Sequence, residues 1–118
     1  MVMISHVFHR FYDSRLPASL SKNIATELLR KKLHFEGIII CDDPSMKAIS
    51  NNYSLEDTFT YMINAGIDIF CLGNNLEFDP YNVPKCVQAI KEGINKKKIS
   101  IEKIEQSILR INKLKDKL

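Results

Sequence analysis

Two adjacent carboxylates are the residues of this 118-residue sequence whose type and position best suit chemistry. Asp42 and Asp43 directly follow an apolar run at residues 38–40, which predicts a strand covered on both faces, as in a parallel sheet flanked by helices. In such sheets, ligands and catalytic groups collect at the carboxyl ends of the strands. The pattern alone leaves three roles open: a nucleophile with a supporting group, ligands of a metal or phosphate, or a loop start and helix cap. Because successive side chains of a strand point to opposite faces, we expect only one of the two to face a substrate.

The composition indicates one globular domain covering residues 1–118, with 45% hydrophobic and 26% charged residues. The net charge of +3 arises largely from lysines of the C-terminal third. These lysines lack interleaved aromatic residues, so they predict a solvated helix face and no nucleic-acid partner. No apolar run is long enough to span a membrane. The three cysteines form no CxxC pair, so we expect no metal site and a reducing, cytoplasmic location.

The hydrophobic pattern predicts three strands with helices between them. Strands are expected at residues 2–7, from Gly37 to the two carboxylates, and at residues 67–72. Strands that alternate with helices pair in parallel through right-handed crossovers, and a closed (β/α)8 barrel needs about 250 residues for eight such units. The predicted fold class is therefore α/β, with about three βα units. Because a strand pattern is already present at Val2, we expect that an amino-terminal portion is absent.

Helix boundaries are predicted from capping residues and helix breakers. The first helix is expected to be capped by Ser19 or Ser21, and a short helical turn is expected at residues 47–49. The next helix is expected to begin with a capping box from Ser54 to Asp57 and to end at Gly66. A further helix is expected to open at Asp79-Pro80 or Pro84 and to be weakened or ended at Gly93, and the last helix is expected to be capped by Ser100. The expected buried face of the last helix consists of Ile101, Ile104, Ile108, Ile111 and Leu118.

Residues 41–49, Cys-Asp-Asp-Pro-Ser-Met-Lys-Ala-Ile, resemble the nucleophile segment of family 3 glycoside hydrolases of the β-N-acetylglucosaminidase type. Other stretches resemble the same family in the right order. They are residues 2–6 (the sixth barrel strand), 16–21 (the loop after it), 64–68 (the entry to the last strand), 73–76 with 79–80 (the loop after that strand) and 98–111 (the closing helix). The likeness covers essentially the whole chain, and it implies the C-terminal portion of a TIM-type (β/α)8 barrel.

The resemblance also implies an activity, the retaining hydrolysis of terminal β-linked N-acetylhexosamine from peptidoglycan- or chitin-derived sugars. Asp42 matches the family's nucleophile, which forms a covalent glycosyl-enzyme intermediate that water then cleaves. Asp43 and Met46 match the adjoining positions that shape the substrate pocket, and His6 is assigned at most a supporting role there. No cofactor is implied, because the chemistry is carried by carboxylates.

Two positions depart from the family's pattern, since Cys41 replaces a Ser or Thr and Pro44 replaces an apolar residue. The resemblance also implies a His and an Asp for general acid/base catalysis and further residues that grip the sugar, all on segments that this sequence lacks. A retaining mechanism needs a second group about 5 Å across the scissile bond. We therefore expect little or no hydrolysis by the chain alone, and we expect an N-terminal half-barrel chain or a second copy as its partner.

Two other interpretations remain open. A non-catalytic remnant, or one subunit of a split barrel, would share every motif named above. A receiver-like signalling domain would have a similar length and an Asp-Asp pair at a strand end. That fold would place the acidic pair after its first strand and a Lys-Pro pair at a later strand end, and this sequence contains no Lys-Pro pair.

Overall fold

A computed structural model describes residues 1–75 and 78–118, and in this part of the chain three parallel strands alternate with five helices. The strands are β1 (Val2–Ile4), β2 (Ile39–Cys41) and β3 (Ile69–Phe70). The helices are α1 (Asn23–Lys32), which is wound as a π-helix, α2 (Lys47–Ser50), α3 (Leu55–Ala65), α4 (Asn82–Asn95) and α5 (Ile101–Lys115). A 3-10 turn at Ala18–Leu20 precedes α1.

The three strands lie side by side in the order β1-β2-β3, and both pairs are parallel. Cys41 aligns with Ile4 of β1 and with Phe70 of β3, so the carboxyl ends of the strands form one edge. This consecutive order confirms the predicted parallel βα units. It also shows that the receiver-like interpretation is wrong, because that class of sheet places its first strand between the second and the third.

All three strands are shorter than predicted, since β1 ends at Ile4, β2 begins at Ile39 and β3 covers only Ile69–Phe70. The apolar runs extend further because they also supply core residues outside the hydrogen-bonded ladder. Ile67, for example, is only 2% exposed although it lies before β3. Single backbone hydrogen bonds prolong the pairing at the ends, from Asp42 N–H to the Ile4 carbonyl and from Asp68 N–H to the Ile39 carbonyl.

The two faces of the sheet differ, contrary to the prediction that both are covered. On one face, Ile4, Ile39 and Cys41 are buried in a core formed with residues of the 3-10 turn, α1 and α3. The other face, which we call the open face, carries Met3, Ile40 and Ile69, which the strand register places side by side. Met3 is 58% exposed there. In a closed barrel this second face is the interior, which strands on the opposite side of the barrel cover.

Most predicted helix boundaries are confirmed. Ser54 caps α3 by accepting a hydrogen bond from Asp57 N–H at 3.0 Å, and Gly66 ends that helix with a φ of 102°. At the start of α1, Ser21 Oγ accepts from Ile24 N–H at 3.3 Å. Asp79 stabilises the turn that precedes α4 by accepting a hydrogen bond from Tyr81 N–H.

The structure corrects two predictions about the C-terminal helices. Gly93 does not end α4, which continues to Asn95, while a weakening of the helix by Gly93 stays a prediction. A Cβ at Gly93 would lie 2.6 Å from Ile99 Cδ1, so this glycine permits a close packing contact. In α5 the buried position is Ser107, and of the predicted face Ile104 packs against the core, whereas Ile101, Ile108 and Leu118 are exposed. The helix α5 is rotated about its axis relative to the predicted orientation, because Ser107 and Arg110 must face the buried carboxylate of Asp68 to bind it. No helix in the described ranges has the length and apolar character needed to cross a membrane.

Candidate active site

Asp42 lies at the carboxyl end of β2, two residues after Ile40, so strand alternation places its side chain on the open face. Its backbone N–H donates to the Ile4 carbonyl at 3.1 Å, which ties it to β1. Within residues 1–75 and 78–118, its carboxylate has one hydrogen bond, from Asp43 N–H to Oδ1 at 2.8 Å. The second carboxylate oxygen, Oδ2, has no protein partner in the described part of the chain, and the residue as a whole is half-buried, so the carboxylate is accessible to a ligand.

Unlike Asp42, Asp43 has both carboxylate oxygens hydrogen-bonded to the protein, and these bonds connect the loops after β2 and β3. Oδ2 accepts a hydrogen bond from Gly73 N–H, in the loop after β3, at 2.9 Å, and Oδ1 accepts one from Ser45 N–H at 2.9 Å. A Cβ at Gly73 would lie 2.7 Å from Asp43 Oδ2, so the contact requires glycine. The prediction that the two carboxylates diverge is therefore confirmed, with Asp43 turned toward the neighbouring βα unit.

The electrostatics of Asp43 follow from these contacts. Burial by itself would raise the pKa of Asp43, but the hydrogen bonds from Ser45 and Gly73, together with the nearby His6, lower it overall. Asp43 is therefore ionised at neutral pH and acts as a hydrogen-bond acceptor.

His6 follows β1 and contacts the same loop. Its Nε2 lies 2.8 Å from the Asp43 carbonyl oxygen, and its Nδ1 lies 2.7 Å from Ser19 Oγ. Both ring nitrogens of His6 are therefore in contact with protein atoms, and one of these partners, Ser19, is fully buried. The structure thus brings Asp42, Asp43 and His6 into one hydrogen-bonded group, while the sugar-binding role predicted for His6 stays a prediction.

Met46 ends the turn that begins at Asp43, since its N–H donates to the Asp43 carbonyl at 3.1 Å. Pro44 occupies the second position of that turn, where its fixed φ is suitable. The Met46 side chain is 37% exposed, which leaves it accessible at this edge of the sheet. Its predicted role in the substrate pocket stays a prediction.

The two cysteines at this edge have different environments. Cys41 is buried on the helix-covered face, and burial raises the pKa of its thiol to about 12, so it stays protonated. Cys71, which follows β3, is exposed, because alternation from Ile69 places it toward the open face. In the described ranges, no group of three or more His, Cys, Asp and Glu side chains is placed to hold a metal ion.

Comparisons with known proteins place this chain in a family. The sequence model of the glycosyl hydrolase family 3 N-terminal domain matches residues 1–114. The chain belongs to glycoside hydrolase family 3. The chain is 29% identical to beta-hexosaminidase A of Pseudoalteromonas piscicida over 133 aligned positions, which cover 100% of this chain and 22% of that protein. It is 40% identical to a beta-hexosaminidase of Haemophilus influenzae over 76 positions, which cover 64% of this chain and 21% of that protein.

Solved structures of family 3 enzymes share the fold. The crystal structure of the beta-N-acetylglucosaminidase from Thermotoga maritima superposes with a TM-score of 0.84 at 36% identity, covering 94% of this chain and 24% of that chain. A family 3 beta-N-acetylglucosaminidase from Paenibacillus superposes with a TM-score of 0.83 at 30% identity, covering 97% of this chain and 21% of that chain. This family 3 chain therefore spans about a fifth to a quarter of the length of these relatives.

Sequence reasoning missed two buried carboxylates of this family 3 domain. Asp68, just before β3, binds Arg30 and Arg110, and Asp13 accepts hydrogen bonds from Ser21 Oγ at 2.6 Å and from two backbone N–H groups. A signal for Asp68 was present, since a charged residue between Ile67 and Ile69 must be paired if the run is buried. Asp13 gave no comparable signal, because it lies in a polar loop.

One cavity lies near the amino end of the strands, away from Asp42. This cavity of about 470 Å³ lies beside the Asp68 network and is lined by Arg30, Phe35, Glu36, Leu109, Arg110 and Lys113. Its lining includes neither Asp42 nor Asp43. Asp42 instead faces the open side of the sheet, so a substrate there would need further walls.

Proposed function

We propose that this chain supplies the nucleophile of a retaining β-N-acetylhexosaminidase, with Asp42 as the attacking group. The observation that carries the proposal is the contrast within the acidic pair. Asp43 is committed to Gly73 and Ser45, whereas the Asp42 carboxylate keeps one oxygen without a protein partner in the described residues. The family and the names of the relatives, beta-hexosaminidase and beta-N-acetylglucosaminidase, support this choice of reaction.

In the proposed reaction, Asp42 Oδ2 attacks the anomeric carbon of a terminal β-linked N-acetylhexosamine. A covalent bond forms between that carbon and the carboxylate while the bond to the leaving-group oxygen breaks, and an acid protonates that oxygen. Water then attacks the same carbon and gives a proton to the group that had acted as the acid, while the bond between the carbon and the carboxylate breaks, which releases the sugar and restores the Asp42 carboxylate. We propose glycans containing N-acetylglucosamine, such as peptidoglycan or chitin fragments, as the substrate class.

The proton donor has to come from outside the described group. Asp43 is ionised and engaged by two N–H groups, and both ring nitrogens of His6 are in contact with Asp43 and Ser19. We propose that a chain providing the other barrel strands, or alternatively a second copy of this chain, completes the site on the open face. The exposure of Met3 on that face supports such a partner. The cytoplasmic location stays a prediction.

The test is hydrolysis of a chromogenic β-N-acetylglucosaminide by the purified chain, with and without a co-expressed amino-terminal half-barrel. We expect activity only with both halves, and we expect Asp42→Asn to lower kcat by roughly 10⁴-fold or more, because it removes the nucleophile. Asp116→Asn, a change of the same chemistry at an exposed position near the C-terminus, is the matched control and should leave kcat unchanged.

A second candidate is a non-catalytic subunit, which the sparse enclosure of Asp42 also fits. It predicts a cooperatively folded chain with no hydrolysis in either preparation. That result would overturn the catalytic proposal, and so would unchanged activity in Asp42→Asn.

A further inference from the structure

We propose that His6 is a positioning residue for Asp42: with its ring held by Ser19, it donates from Nε2–H to the carbonyl of Asp43, whose N–H in turn orients the Asp42 carboxylate. This inference rests on the proposed function, because it assigns His6 a role in aligning the proposed nucleophile. It gives a physical form to the supporting role that the resemblance implies for His6.

The hydrogen on Nε2 follows from the partner of that nitrogen. A carbonyl oxygen can only accept a hydrogen bond, so the His6 nitrogen 2.8 Å from the Asp43 oxygen, Nε2, must carry a hydrogen. The other ring nitrogen, Nδ1, lies 2.7 Å from the Ser19 hydroxyl, and this second hydrogen bond fixes the orientation of the ring. Ser19 is fully buried, so water does not compete for this hydroxyl.

The link from His6 to the nucleophile is short. The Asp43 carbonyl accepts from His6 Nε2 and from Met46 N–H, which together use both of its lone pairs. The Asp43 N–H donates to Asp42 Oδ1 at 2.8 Å. A rotation of the backbone at Asp43 would therefore turn the Asp42 carboxylate directly.

Asp43 is held from both neighbouring strands. His6, after β1, holds its carbonyl, and Gly73, after β3, donates to its carboxylate at 2.9 Å. The central strand thus presents Asp42 from a loop that is fixed on either side. Such support matters because a displacement of about 1 Å at a reacting group can lower the rate by roughly 100-fold.

The kinetic test uses the full chain with the co-expressed amino-terminal half and compares four proteins. His6→Leu removes both contacts and should lower kcat by roughly 10- to 100-fold with little change in KM. His6→Gln keeps an amide N–H near the Nε2 position and should recover kcat to within about 3-fold of wild type, since a donor to the Asp43 carbonyl remains. His9→Leu, at an exposed histidine of the next loop, is the matched control and should leave kcat unchanged.

A second measurement, on the 118-residue chain alone, needs no activity. The ¹⁵N shifts of the His6 ring should show that Nε2 carries a hydrogen at neutral pH. His6→Gln and Ser19→Ala should each shift the amide signals of Asp42 and Asp43 while His9→Leu leaves them in place, which also covers the case in which His6→Leu does not fold.

The outcomes separate this inference from the proposed function. A ring protonated at Nδ1 instead, amide signals that do not move, or a His6→Leu variant with raised KM and unchanged kcat would each overturn the positioning role. An inactive wild type with both halves present would overturn the proposed function, and with it the alignment of a nucleophile, while the spectra still decide whether His6 holds Asp43.

Discussion

Each end of the sheet holds a carboxylate, and the two carboxylates differ in burial and in the number of hydrogen bonds that they accept. Asp68, at the amino end, has a fully buried side chain that accepts hydrogen bonds from Arg30 at 2.7 Å, from Ile39 N–H at 2.9 Å and from Ser107 and Arg110. Asp42, at the carboxyl end, is half-buried and accepts a single hydrogen bond from a described residue. Asp68 thus ties α1, β2 and α5 together, whereas Asp42 stabilises almost nothing.

The difference shows how one sheet can be stable and still leave a carboxylate available to a ligand. A carboxylate whose charge is neutralised by two guanidinium groups and whose oxygens are all engaged is a poor nucleophile. A carboxylate held by one backbone N–H keeps lone pairs available for a ligand. The buried ion pairs that stabilise the fold therefore lie at the amino end of the strands, and the proposed reaction is placed at the other end.

The largest expected effect on stability is that of Asp68→Asn. The change leaves Arg30 and Arg110 partly buried without their counter-charge, so the free energy of unfolding should fall by about 3–5 kcal/mol. Asp42→Asn should change it by less than about 0.5 kcal/mol. Urea unfolding followed by circular dichroism measures both values, and similar losses in the two variants would show that the ends of the sheet do not differ in this way.

A smaller effect on the free energy of unfolding is expected for Gly73→Ala, at the carboxyl end of the strands. The new Cβ would overlap Asp43 Oδ2, and overpacking of this kind costs about 1–3 kcal/mol. Combining it with Asp43→Ala removes Oδ2, the atom that the new Cβ would overlap. The double variant should therefore lose less free energy of unfolding than the sum of the losses in the two single variants. Strictly additive losses in the same urea experiment would contradict the close contact.

The smallest effect is a dependence on pH that involves the buried Asp13. Burial alone would raise the pKa of Asp13, but hydrogen bonds from Ser21, Arg15 and Leu16 lower it below its ordinary value of 3.8. Because the folded pKa lies below the unfolded one, this stabilisation is complete above the unfolded pKa and is lost as the pH falls through the folded pKa.

Unfolding free energies measured from about pH 6 to about pH 2 should therefore decrease on the acid side, and Asp13→Asn should flatten part of that decrease. Asp116→Asn, at an exposed residue near the C-terminus, should leave the curve unchanged. An identical acid slope in Asp13→Asn and wild type would mean that Asp13 has the same pKa in the folded and unfolded chain.

Much of the fold was predictable because its signals are local. The apolar runs that end at Asp42 and begin at Ile67 predicted the central and third strands, and Ser54 and Gly66 predicted both ends of α3. Each of these signals is a property of a few consecutive residues, and capping or strand alternation acts over that same range. The family motif around Asp42 was readable for the same reason.

Other features were decided only by the tertiary structure, because they join residues far apart in the chain. His6 meets Asp43 across 37 positions, Asp68 meets Arg110 across 42, and the rotation of α5 follows from that second pair instead of from its isoleucines. The open face is likewise a property of how three strands and their helices pack. The sequence therefore determined the elements and the family motif around Asp42, whereas packing decided which carboxylate holds the fold together and which keeps an oxygen without a partner among the described residues.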